Sequence, residues 1–111
     1  PHKQRWEHGR DFANIADWDS QVAKNNGAFY FDLTMVISDA YKKVGAKKVA
    51  TFFADRGTHT SDRGARFNAA CVVAGLKSLP GDPLEKYFSE SGRAIAAYQP
   101  ATSEDSTNSI H

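Results

Sequence analysis

One cysteine, Cys71, stands in 111 residues, which leaves no partner for an internal disulfide and too few thiols for a cysteine-based zinc site. It lies among Ala70, Val72 and Val73 and reads as a small buried apolar residue. Charge of one sign is also missing. The 14 Lys and Arg residues face 13 Asp and Glu, for a net charge of +1. That balance removes the electrostatic case for nucleic acid or an anionic membrane surface as partner. No apolar run approaches the length needed to cross a bilayer. The segment Pro1 to Trp6 is polar and basic, without the apolar stretch of a signal peptide, and a Pro-His start reads as a processed or truncated product. Three catalytic signatures are absent as well: Gly-Asp-Ser, Gly-x-Ser-x-Gly and a Gly-rich phosphate loop.

What is present is a loop, Phe53-Ala54-Asp55-Arg56-Gly57-Thr58-His59-Thr60-Ser61, with an acid and a histidine a few residues apart. A carboxylate beside an imidazole can hold its tautomer and stabilise its charged form, which a general base acting on a serine hydroxyl requires. Taken alone, His59 reads more simply as a surface histidine that caps or touches the following helix, and Asp55 equally well as a turn residue ahead of Gly57. Ser38, Ser61 and Ser78 lie on or beside helices without an elbow turn, so none serves as the nucleophile.

Hydrophobic content of 41% and this length suit one soluble domain with its own core. Phe12, Ile15, Trp18 and Val22 recur at steps of three and four and predict a helix over 11–25, stopped by Asn25-Asn26-Gly27. Ala28 to Leu33, short and aromatic, predicts a buried strand in which Phe29, Tyr30 and Phe31 belong to the core and Asp32 receives hydrogen bonds at the strand end. Thr34 is a cap for a second helix with an apolar stripe of Val36, Ile37, Ala40, Tyr41 and Val44, ended by Gly45. Val49 to Phe53 is either a strand or a final turn; periodicity does not separate them. Ser61 caps a third helix over 62–78. The alternation of helix and strand predicts an α/β layered fold with a mainly parallel sheet, although one or two strands are too few to build it alone. Residues 1–88 form the folded part. Residues 89–111 read as a polar, disordered tail.

At the loop and third helix the sequence resembles the C-terminal part of the SGNH-type hydrolases, closest to the rhamnogalacturonan acetylesterase family. The matching residues are Phe52-Phe53, Thr58-His59-Thr60-Ser61, Gly64-Ala65 and Asn68 through Lys77. Upstream, Trp6 with Gly9, Trp18 with Val22-Ala23, Phe31-Asp32-Leu33 and Tyr41 with Gly45 come in the same order. The resemblance implies the C-terminal part of a three-layer α/β/α (flavodoxin-like) domain and a Ser-His-Asp esterase that removes acetyl groups from pectic polysaccharide. It assigns His59 as general base and Asp55 as the acid that orients it. It implies no metal or organic cofactor, an acetylated polysaccharide or small ester as substrate, and a secreted or periplasmic setting. The family's nucleophile and oxyanion blocks lie N-terminal to the matched region, so a chain carrying that missing half is the implied partner. Asn14, Asn25, Asn26 and Asn68 stand in the wrong context for the oxyanion role. Three residues separate Asp55 from His59 where the family has two, and Gly57 is the residue able to absorb the extra one.

The remaining polar residues read more simply. His2, His8 and His59 lack metal-ligand spacing, Trp6 and Trp18 read as packing residues, and Lys42-Lys43 with Lys47-Lys48 reads as a solvated face. The alternative to an esterase part is a non-catalytic α/β module that pairs through an exposed face.

Overall fold

The structure, a computed structural model, describes Glu7 and residues 12–100. Helix α1 spans Ala13–Asn25 and α2 spans Leu33–Val44. A single turn, α3 (Ala46–Val49), runs into a 3₁₀ turn at Ala50–Phe52. The long helix α4 covers Asp62–Lys77, and a 3₁₀ turn at Glu85–Tyr87 leads to α5, Glu90–Arg93. The expected α/β fold with a parallel sheet is overturned. Among the described residues there is no strand, only one antiparallel bridge between Phe53 and Thr60.

The reasons are local. Phe29, Tyr30 and Phe31 make no main-chain hydrogen bond among the described residues, because no neighbouring segment offers a ladder. A strand is a pairing, and composition alone supplies only one side of it. Phe29 is 63% exposed instead of lying in the core. Val49 to Phe53 takes the turn of its two readings: the Thr51 hydroxyl donates to the Lys48 carbonyl at 2.6 Å and closes the chain on itself. At the start of α2 the cap is Asp32, not Thr34. The Asp32 carboxylate accepts the Met35 N–H at 3.1 Å, and α2 begins one residue ahead of Thr34.

Helices α1, α2 and α4 lie where apolar spacing put them, and Gly45 ends α2 at φ +92°, a conformation that favours glycine. The core gathers Tyr41, Val49 and Phe52, with Ile37, Val44, Phe53 and Phe67 packed around them. Phe52 and Phe67 stack at 4.7 Å between ring centroids, and Tyr41 meets both at 5.6 and 5.7 Å. Rings at these separations add directional attraction to plain burial. Gly64 makes this packing possible. A Cβ there would lie 1.9 Å from the Phe52 carbonyl oxygen, so only glycine lets the first turn of α4 touch that backbone.

Helix α1 takes no part in this core and has no buried residue. Trp18, expected to pack, is 64% exposed, and Phe12, Ile15 and Val22 are exposed beside it. Residues 89–100 carry α5 and are tied back to the body. The Lys77 ammonium donates to the carbonyls of Arg93 and Ile95, and the Tyr98 hydroxyl donates to Asp39 at 2.6 Å. Trp6, His2, His8 and the tail at 101–111 lie outside the described residues.

Candidate active site

The loop between Phe53 and Ser61 is fixed at both ends. Ala54 N–H donates to the His59 carbonyl at 2.7 Å and Ser61 N–H donates to the Phe52 carbonyl at 2.8 Å, which closes the loop at its neck. Ser61 does two further jobs. Its hydroxyl donates to the Thr51 carbonyl at 2.8 Å and accepts the Gly64 N–H at 3.1 Å, capping α4. The helix cap is therefore Ser61, and His59 is left for another use.

Inside the loop, Asp55 organises the next four residues. One carboxylate oxygen accepts the backbone N–H groups of Gly57, Thr58 and His59 at 3.0, 2.8 and 3.1 Å. The other oxygen lies 2.6 Å from His59 Nδ1. The structure thus brings together the two residues singled out from sequence, across the three intervening residues. Gly57 takes φ +123°, which side-chain-bearing residues rarely adopt, and this bend lets the chain turn back between the two residues. The His59 bond, then the N–H bonds of Thr58, His59 and Gly57, hold the Asp55 carboxyl well below the usual carboxylate range. Asp55 is therefore ionised at any physiological pH.

An ionised acid on Nδ1 favours the tautomer that carries its proton there and leaves Nε2 as the basic nitrogen. The His59 side chain is 79% exposed and Asp55 41%, so Nε2 is open to an incoming hydroxyl. No serine within the loop competes for it: the Ser61 hydroxyl is already committed to Thr51 and Gly64. Asn68 is not an oxyanion donor poised at the loop; its side-chain oxygen accepts the Tyr41 hydroxyl at 2.5 Å. Cys71 is buried, as its apolar neighbours implied, and burial pushes its thiol above the ordinary value. No group of three His, Cys, Asp or Glu side chains gathers among the described residues.

A cavity of about 430 Å³ opens beside the loop, with Thr58 and Thr60 in its wall on either side of His59. Helix α2 contributes Thr34 and Ile37, α4 contributes Asn68, and Phe12 closes the far side. Sequence reasoning did not find these residues. Tyr41 and Asn68 are 27 positions apart, and only the packing of α2 on α4 joins them. Comparison with protein-family models, curated proteins and solved structures finds no match to this chain.

Proposed function

We propose that this chain supplies the imidazole–carboxylate base of a serine esterase acting on acetylated carbohydrate, with nucleophile and oxyanion donors furnished by polypeptide outside the described residues. The observation that carries this reading is the 2.6 Å contact between Asp55 and His59 Nδ1, made by a carboxylate whose other oxygen is anchored by three backbone N–H groups. An acid held so firmly orients an imidazole rather than merely meeting it.

In this mechanism His59 Nε2 takes the proton of a serine hydroxyl as that oxygen attacks the acetyl carbonyl. Asp55 stabilises the imidazolium that forms. The proton passes to the departing sugar oxygen, leaving an acetyl-serine, and water repeats the cycle to release acetate. Both side chains are exposed, and an exposed pair interacts weakly in water. A covering surface that excluded solvent would strengthen the pair. The exposed apolar face of α1 and the main chain at 29–31, which has no partner among the described residues, are surfaces such a covering polypeptide would close. Those same surfaces favour a second reading, a non-catalytic module that docks through them.

The test expresses the chain together with the coding sequence preceding it and monitors hydrolysis of p-nitrophenyl acetate. Under the esterase reading His59→Ala lowers kcat by on the order of 10⁵-fold or more. Asp55→Asn lowers it by about 10⁴-fold. Hydrolysis unaffected by His59→Ala would leave the docking module as the surviving reading.

A further inference from the structure

Helix α1 half-buries small residues and exposes large ones. Its only partly buried positions are Ala16, Ser20 and Ala23. Phe12, Ile15, Trp18 and Val22 are between 45% and 64% exposed. At about 100° per residue these four fall within an arc of about 120°, beside the sector of the small residues, with Asp19 at one border. A large side chain has about 150–250 Å² to bury, so the four at these exposures offer roughly 450 Å² per copy. Two copies bring roughly 900 Å², and the helix surface around the stripe carries the total past the roughly 1,000 Å² that a specific interface needs.

We propose that two copies of this chain pair through α1, antiparallel, about a two-fold axis level with residues 16 and 17. In that register Phe12 faces Val22 of the second copy and Ile15 faces its Trp18, each pair occurring twice. An aromatic ring thus meets an aliphatic side chain in every layer, the large-against-small arrangement that fills space. A parallel pairing would set Trp18 on Trp18 and Val22 on Val22, crowding one layer and leaving another short, with the helix dipoles aligned unfavourably. This symmetry selects a second copy over an unrelated apolar partner, because the stripe complements itself as an isologous contact requires.

A net charge of +1 adds little repulsion between copies. The interface is at the small end of the specific ones, so the dimer is weak and its population rises with concentration. The proposal gives the docking reading a named partner for α1 and rests on neither Asp55 nor His59.

The experiment is sedimentation equilibrium of the intact chain, kept reduced, from low micromolar to near-millimolar concentration. The average mass is expected to rise from 12.2 kDa toward twice that value and no further. Trp18→Lys is expected to weaken association at least tenfold while leaving the circular dichroism spectrum in place, since α1 has no buried residue. Tyr87→Ser, which removes a comparably exposed aromatic outside α1, should leave association unchanged. Register is read by oxidation with copper phenanthroline. Phe12→Cys mixed with Val22→Cys is expected to cross-link, while Phe12→Cys alone does not, its two copies lying about 15 Å apart along the helix. A mass fixed at 12.2 kDa throughout, or growth beyond the dimer, would overturn the proposal. So would association untouched by Trp18→Lys, or Phe12→Cys linking to itself. The His59 kinetics test the esterase reading separately, whichever of these results is found.

Discussion

Replacing Gly64 with alanine places a methyl group where the backbone of Phe52 already stands. The new Cβ would lie 1.9 Å from the Phe52 carbonyl oxygen and 2.7 and 2.8 Å from its carbonyl carbon and Cα. Backbone cannot rotate aside as a side chain does, so α4 and the Ala50–Phe52 turn must part by roughly 1 Å, an overpacking cost of about 1–3 kcal/mol. The bonds that join them, Ser61 N–H to the Phe52 carbonyl and Ser61 hydroxyl to the Thr51 carbonyl, lengthen together. Each lost bond adds about 1 kcal/mol. Alanine's better helix propensity returns about 1 kcal/mol. The balance is a loss of about 2–4 kcal/mol, or roughly 10–20 °C in Tm for a domain of this size. Because the same bonds form the neck of the Asp55–His59 loop, the amides of Thr58 and His59 should shift as well. Thermal unfolding monitored by far-ultraviolet circular dichroism, with an amide spectrum, reads both effects. Gly92→Ala is the milder comparison: its Cβ would lie 3.3 Å from the Ser89 hydroxyl, a tight contact with a side chain and not with backbone, so it should cost less than Gly64→Ala. A Gly64→Ala protein as stable as the parent, with loop amides in place, would show that α4 does not press on residue 52.

The loop and α1 lead to other expected outcomes. The folded Asp55 pKa is depressed, so the stabilisation it brings is complete above the unfolded carboxyl value, about 3.9. It is lost only as pH falls through the lower folded value. The Asp55 carboxyl ¹³C resonance should therefore remain at its ionised position from pH 7 down to about 3.5; an ordinary midpoint near 4 would contradict the hydrogen-bond pattern. The exposed Ile15 and Trp18 should bind an apolar dye such as ANS and promote self-association. The double variant Ile15→Lys with Trp18→Lys should reduce both without lowering Tm, since α1 buries nothing in the core. A fall in Tm comparable to a core substitution would show that α1 packs after all.

The sequence disclosed the helices because a helix is a local structure. The stripe from Val36 to Val44, the stop at Gly45 and the Ser61 cap each depend on residues within a turn or two, and all three are in place. The predicted strand at 28–33 failed for the complementary reason: aromatic composition cannot create a pairing partner, and residues 29–31 have none among the described residues. Asp32 and Thr34 are both capable caps two positions apart, and the choice fell to the one whose carboxylate reaches Met35 N–H. The acid and histidine were visible as residue types. Their contact depended on a backbone angle at Gly57 that spacing alone does not fix. The cavity was invisible, since its walls come from α2, α4, the loop and Phe12 at once.

The most direct trial of the Asp55–His59 pair is the tautomer of the His59 ring, read from a long-range ¹H–¹⁵N spectrum at alkaline pH, where the imidazole is neutral. Nδ1 should carry the proton and Nε2 should be bare, and Asp55→Asn should move the population toward the Nε2–H form. A parent protein already in the Nε2–H form, indifferent to Asp55→Asn, would mean that the carboxylate does not orient the ring and that this loop is not a catalytic base.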